Sequence, residues 1–327
     1  MSTLPRIAVI ATGGTIAGVS ATESDTTSYQ AGALPITQLL AGVPQLGTLA
    51  DVVAEQPFSE DSKDLTPEHW LILARRVQAR LDESTIDAVV VTHGTDTLEE
   101  TAFFLHLVLT SDKPVVMTAA MRPATALSAD GPMNLYQALS VAATPAARGR
   151  GVLVVVADRI WSARDVAKRH TQAIDALGDT DSGPLGWAHP PRFSSGPDSR
   201  LAGRIPLAKL QMDGKASLPI VEILFVAAGS SPELITAACA FARGLVLALP
   251  GNGSVPQRLA PALDACRRQG VTVVRASRTG AGPVAPLSDA LAAAMLCAGQ
   301  LSPTKARIAL MLALAQGRLE LFEEIAA

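Results

Sequence analysis

The chain has 327 residues, 48% hydrophobic and 17% charged, with 27 Lys+Arg against 30 Asp+Glu for a net charge of −3. A chain this long and apolar buries a core of its own, which excludes a disordered protein and a small disulfide-stapled scaffold. No basic run marks a nucleic-acid face, and no apolar run reaches the roughly 18 residues of a membrane span.

Residues 6–11 form a continuous apolar, partly β-branched run that predicts a buried strand, and Thr12-Gly13-Gly14-Thr15 turns sharply after it. Arg6 followed by this run resembles a leader ending near Ala21, but the run is short and breaks at the glycines. The expectation is a cytoplasmic protein, with a periplasmic one as the alternative if a leader has been removed. Residues 20–33 are polar and carry Tyr29, one of two tyrosines. Thr66-Pro67-Glu68 reads as a helix start, running to about Leu81. Strands are predicted over 86–92, 114–119 and 151–157, alternating with helices that begin near Leu98 and Asn134. The stretch 178–219, with Gly183-Pro184, Pro190-Pro191 and Pro206, reads as a long loop and linker.

Strands over 220–226, 245–249 and 271–275 then alternate with helices over 232–242 and 256–269, and helices over 287–298 and 303–316 end the chain. The fold class is therefore α/β: a larger N-terminal parallel-sheet domain (1–200), a linker (201–218) and a smaller C-terminal α/β domain (219–327). Cys239, Cys266 and Cys297 have no metal-ligand spacing; their odd number argues against a disulfide framework, and they read as small buried hydrophobes in helices.

Sites in open parallel sheets form beyond the carboxyl ends of strands. Three polar clusters fall there: Thr12–Thr15, Thr92–Thr97 and Ala119–Pro123. Two of them place a threonine after a glycine, Gly14-Thr15 and Gly94-Thr95. Glycine admits a close backbone approach, turn N–H groups can stabilise an oxyanion, and a threonine hydroxyl can serve as a nucleophile. Simple capped strand-to-helix turns are the plainer alternative. Asp96 either caps the following helix or binds a substrate ammonium. Lys168 is either part of a solvated charged face or a base for a threonine. Tyr29 is either a loop anchor or a phenol acting on Thr15. His93 reads as structural, and no second His or Cys stands at metal-ligand spacing, so no metal is expected. Gly13 to Gly18 matches neither phosphate-binding glycine pattern, and no Gly-x-Ser-x-Gly elbow is present.

Four stretches carry a resemblance. Ala11-Thr-Gly-Gly-Thr-Ile-Ala-Gly18, Thr92-His-Gly-Thr-Asp-Thr-Leu-Glu-Glu-Thr-Ala102, Lys113-Pro-Val-Val-Met-Thr-Ala-Ala-Met-Arg-Pro123 and Ser128-Ala-Asp-Gly-Pro132 resemble signatures of the bacterial-type L-asparaginases, type II-like in detail. The resemblance covers nearly the whole chain and implies hydrolysis of L-asparagine to L-aspartate and ammonia, with some action on L-glutamine and no cofactor. It places Thr15 on the nucleophile, Tyr29 on the loop tyrosine that assists it, and Thr95, Asp96 and Lys168 on a second triad. It assigns Ser62 to the substrate α-carboxylate, Asp96 to its ammonium, and Ala120 to a backbone contact near the amide. The implied oxyanion donors are N–H groups near Gly14 and Thr95, and either threonine can attack first.

The resemblance also implies a homotetramer, a dimer of dimers, in which Asn252 and Ser254 of a neighbouring subunit reach each site. Two departures stand out. Lys63 occupies a place that is often Gln or Glu. The stretch from Ser277 to Asp289 lacks the Glu that usually pairs with the loop tyrosine, leaving Asp289 as the only acid there. A non-catalytic amino-acid sensor on the same scaffold is the competing reading. An amino-acid racemase would want paired cysteines at strand ends.

Overall fold

The computed structural model describes residues 4–179, 181–194, 203–210, 217–287 and 290–327. The chain divides into two compact units, Met1–Leu207 and Ala208–Ala327.

The first unit carries β1 (Arg6–Ala11), a short hairpin of β2 (Val19–Ser20) and β3 (Tyr29–Gln30), α1 (Ile36–Ala41), β4 (Asp51–Glu55), α2 (Pro67–Asp82), β5 (Ala88–Thr92), α3 (Leu98–Val108), β6 (Val115–Thr118), α4 (Gly131–Ala142) and β7 (Val152–Val156). Five shorter strands follow: β8 (Arg159–Ser162), β9 (Ala167–Lys168), β10 (Leu177–Gly178), β11 (Gly186–Ala188) and β12 (Pro191–Phe193). The main sheet has eight strands in the order β12-β11-β8-β7-β6-β5-β1-β4. From β7 to β4 the pairings are parallel, and β7-β8, β8-β11 and β11-β12 are antiparallel.

The predicted linker therefore begins with sheet. β11 and β12 extend the antiparallel edge within 178–219, where short strands among prolines lack the apolar run that marks a strand in sequence. The parallel strands are continuous apolar runs because both their faces are covered: Ile7, Ala8, Val9 and Ile10 are all fully buried. Ile7, Val9 and Val90 join Leu135 and Leu139 of α4 in one core cluster.

The strand order locates the site. After β1 the chain moves to β4 on one side, and after β5 it moves to β6 on the other. The connections diverge between β1 and β5, which makes a topological switch point with a crevice at the carboxyl ends of those two strands.

The second unit has a four-stranded parallel sheet in the order β13-β14-β15-β16, built from β13 (Val221–Phe225), β14 (Gly244–Leu249), β15 (Thr272–Ser277) and β16 (Leu296–Cys297). Its helices are α5 (Pro232–Cys239), α6 (Ala260–Arg268), α7 (Ala290–Ala293), α8 (Pro303–Gln316) and α9 (Glu320–Ala326). The single helix expected over 287–298 is instead the short α7 followed by β16, so Cys297 lies on a strand, with its thiol donating to the Val284 carbonyl at 3.0 Å. The cysteine expectation is also corrected. Cys239, at the end of α5, and Cys266, in α6, form a disulfide. Both helices pack on the same core cluster of Ile235, Leu247 and Leu263, which brings their cysteines together. An odd count cannot reveal a pair whose partners meet only through tertiary packing.

The cross-link closes a segment with a sequence separation of 27 residues. Loop-closure entropy on that scale is worth about 3.5 kcal/mol. The Cys239→Ser/Cys266→Ser double variant is therefore expected to lose roughly that amount of stability in urea unfolding of this unit. A loss under about 1 kcal/mol would mean that the bond does not constrain the unfolded chain.

Candidate active site

The turn after β1 is stitched on three sides. Thr12 N–H and Oγ1 both donate to the Thr92 carbonyl, at 3.1 and 2.9 Å. Gly14 N–H donates to the Glu60 carbonyl at 2.9 Å, and Gly32 N–H to the Gly14 carbonyl at 3.0 Å. Gly13 and Gly14 have φ of 99° and 78°, values that side chains rarely allow. A Cβ on Gly14 would also overlap the backbone of Gly94, so the two threonine turns touch through glycine.

The sequence-predicted catalytic side chains meet in one cleft of about 610 Å³, which Thr15, Tyr29, Thr95, Asp96 and Lys168 all line. Thr15 Oγ1 and Tyr29 OH are 2.7 Å apart. Lys168 Nζ donates to Thr95 Oγ1 at 2.9 Å and to Asp96 Oδ1 at 2.5 Å. An ammonium has donors only, so Thr95 Oγ1 accepts from it and the hydroxyl proton of Thr95 points elsewhere. Asp96 does not cap α3; the N-cap position is Thr97.

Each side chain is set by its local structure. Tyr29 sits at the end of a polar loop organised by Asp25, whose Oδ1 accepts from Thr27 N–H, Thr27 Oγ1 and Ser28 N–H. These bonds, Ser28 first, hold the Asp25 carboxyl below the usual carboxylate range. The β2–β3 pairing then places Tyr29 opposite Ser20. Lys168 lies on the two-residue β9, outside the main sheet, and its N–H donates to Glu99 Oε2 at 2.7 Å.

Ser62, Gly14 and Ala120 are buried and are not among the residues that line this cleft. Ser62 is 2% exposed; its Oγ accepts Asp96 N–H at 3.2 Å and its carbonyl accepts from Thr97 Oγ1 at 2.7 Å. Gly14 shapes the turn, but its N–H is already bonded to Glu60. Lys63 does not line the cleft: its exposed ammonium pairs with Asp61 at 2.5 Å and Asp64 at 3.3 Å.

Sequence reasoning missed Glu60 and Glu99 as parts of this arrangement, and it placed Thr97 in the Thr92–Thr97 cluster without its bond to Ser62. Glu99 reads in sequence as a carboxylate favouring the first turn of α3, and nothing local signals its bond to a residue 69 positions away. Met121 and Arg122 also line the cleft.

His93 is fully buried beneath the turns, with Nδ1 2.7 Å from the Gly94 carbonyl and Nε2 without a hydrogen-bond partner. A carbonyl only accepts, so Nδ1 carries the proton. Burial pushes the His93 pKa down from 6.5 to about 4, against a smaller opposing effect of the Gly94 bond. The ring is thus neutral in the folded protein but takes a proton in the unfolded chain below pH 6.5. Its contribution to stability is whole above that pH and falls away as pH drops towards 4, by about 3 kcal/mol. Urea unfolding at pH 7 and pH 4.5 is expected to show a markedly smaller pH effect for His93→Gln than for the native chain; equal effects would mean that His93 does not drive it.

In the second unit, Pro250–Ser254 follows β14. Asn252 Oδ1 accepts Ala285 N–H at 2.7 Å, and Ser254 N–H donates to the Pro250 carbonyl at 3.1 Å. The buried Arg275 guanidinium donates to the Gly253 carbonyl at 3.1 Å and the Ala285 carbonyl at 3.2 Å, fastening the loop within its own unit. Asp289, considered as the partner of Tyr29, lies outside the described residues. Among the described residues, no group of three or more His, Cys, Asp or Glu could hold a metal ion, and no helix is long and apolar enough to cross a membrane.

Comparison with known proteins gives a consistent result. The family described as "Asparaginase, N-terminal" matches residues 6–195, and the "Glutaminase/Asparaginase C-terminal domain" matches residues 220–325. The chain is 41% identical over 312 residues to the L-asparaginase 2 of Bacillus subtilis (strain 168), covering 95% of this chain and 83% of that one. It is 41% identical over 322 residues to the glutaminase-asparaginase of Pseudomonas fluorescens biotype A, covering 95% and 86%. A crystal structure of a probable cytoplasmic L-asparaginase from Campylobacter jejuni superposes with a TM-score of 0.91 at 39% identity, covering 98% of this chain and 99% of that one.

Proposed function

The chain belongs to the asparaginase family, and from that premise we propose that it hydrolyses the side-chain amide of L-asparagine to L-aspartate and ammonia, with a lesser action on L-glutamine. The observation that carries the reading is the pairing of two threonine hydroxyls, one with a phenol and one with an ammonium, in one cleft at the switch point.

In the proposed mechanism Thr15 Oγ1 attacks the amide carbon while the Tyr29 phenol, 2.7 Å away, relays the proton, accepting it from Thr15 as it releases its own towards the amide nitrogen. With Gly14 N–H bonded to Glu60, the N–H groups of Thr15 and Thr95 are the candidates for stabilising the oxyanion. Ammonia leaves with a proton returned through Tyr29. Water, oriented by Thr95, which Lys168 polarises, then attacks the ester; the Thr15 Oγ1–acyl bond breaks, the proton of the water is relayed through Thr95 to Thr15 Oγ1, and L-aspartate is released. The Asp96 carboxylate, about half exposed, accepts the substrate ammonium, and Ser62 lies beside it for the α-carboxylate. Ala120 supplies the backbone contact near the amide.

The assembly is a homotetramer in which Asn252 and Ser254 complete a neighbouring subunit's site; a sedimentation profile showing an active monomer would refute this part. The Cys239–Cys266 bond favours an oxidising compartment over the cytoplasm.

The test is kcat/KM for L-asparagine, L-glutamine and their D-forms by ammonia release. L-asparagine is expected to lead. Binding of aspartate or asparagine without turnover would favour a sensor instead.

A further inference from the structure

The stretch Ser128-Ala-Asp-Gly-Pro132 has no part in the mechanism above, yet it stands at the start of α4, behind the cleft wall formed by Met121 and Arg122. Asp130 occupies the N-cap position of α4, where an aspartate ordinarily accepts N–H groups of its own helix. Here it makes no such bond. Pro132 removes one of the donors that a cap would serve. The carboxylate is turned outward instead: Oδ2 accepts Met121 N–H and Oδ1 accepts Arg122 N–H, both at 2.9 Å.

Asn134, one turn on and 3% exposed, completes the bracket. Its Nδ2 donates to the Ala119 carbonyl at 2.9 Å and to Asp130 Oδ2 at 3.2 Å, while its Oδ1 accepts Ala157 N–H at 3.0 Å. Residues 119, 121 and 122 are thus held by two side chains of one helix, on both sides of Ala120. Gly131 lets the same helix end come close to the Thr15 turn: a Cβ there would stand 3.0 Å from Ile16 Cγ1 and 3.5 Å from Ala120 Cβ.

We infer that Asp130 and Asn134 are positioning residues that fix the Ala119–Arg122 wall against the Thr15 turn, and so set the room for the substrate side chain and the preference between asparagine and glutamine. The inference rests on the proposed asparagine chemistry. The two substrates differ by one methylene, and a wall shift of a fraction of an ångström changes that choice more readily than it changes the fold.

The test uses the full-length protein with Asp130→Asn and Asp130→Ala. Asn keeps the volume and one acceptor but cannot accept both N–H groups. The first measurement needs no turnover: amide exchange at Met121 and Arg122 is expected to quicken at least about tenfold in both variants. The second is kcat/KM for both substrates. A fall of about ten- to a hundredfold for L-asparagine is expected in Asp130→Ala, with a smaller fall in Asp130→Asn and a changed asparagine-to-glutamine ratio in each. A role in stability alone would lower the melting temperature and leave that ratio unmoved, and would overturn the inference. So would unchanged amide exchange in Asp130→Asn, which stands as the check if the alanine variant fails to fold. A native protein that turns over neither substrate defeats the asparagine reading and with it the claim on preference, while the exchange result still decides whether Asp130 holds the wall.

Discussion

Replacing Thr15 by alanine is expected to lower ammonia release from L-asparagine by roughly 10³-fold or more, the scale on which loss of a nucleophile acts. The hydroxyl is part of a buried turn, with Thr15 7% exposed, and it meets the Tyr29 hydroxyl at 2.7 Å. Removing it costs the fold about 1 kcal/mol, one hydrogen bond's worth. The turn itself is held by backbone bonds from Thr12, Gly14 and Gly32, none of which involves the Thr15 side chain. Activity and stability therefore separate. The variant should unfold near the native midpoint and remain able to bind L-aspartate while turning over almost nothing. Retention of more than a tenth of native kcat/KM would remove Thr15 from the role of nucleophile and leave Thr95 as the candidate.

Lys168→Met is expected to lower kcat by about 10²- to 10⁴-fold, the range for losing a positioned proton-transfer partner. Methionine keeps most of the length and apolar stem but cannot donate to Thr95 Oγ1 or pair with Asp96. Thr95 would lose the donor that polarises it, 2.9 Å away. Asp96 would lose its cation and, with its side chain 51% exposed, return to solvent at little cost to stability, about 1 kcal/mol or less. Because Asp96 is then freed for the substrate ammonium, KM should stay level or fall while kcat collapses. A variant with native kcat and raised KM would instead make Lys168 a binding residue.

Much of this architecture is legible locally. The runs at 6–11 and 86–92 are apolar on both faces because the sheet is covered on both sides, and they appear as β1 and β5 with little change. The Thr66-Pro67 start is the N-cap and first residue of α2, where Thr66 and His69 form a capping box. The helix expected over 303–316 is α8. Failures come where an element is too short for a period to show. β8, β11 and β12 have four, three and three residues, and β16 has two, so none carries enough alternation to be told from a loop. The disulfide and the hydrogen bonds of Glu99 and Asp130 fail for a different reason: each joins positions whose separation in sequence carries no local mark.

By itself, the sequence determined which segments are apolar enough to be strands, where glycines permit tight turns after two of them, and which side chains there have acyl-transfer chemistry. The reason is that burial periodicity, capping and glycine's conformational range are properties of short windows. The tertiary structure alone decided that β1 and β5 are neighbours at the switch point, that the Asp25-organised loop folds back to put Tyr29 on Thr15, and that β9 carries Lys168 to Thr95 across 73 residues. Periodicity says that a face is buried; it does not say against what, and a catalytic pair is a statement about partners.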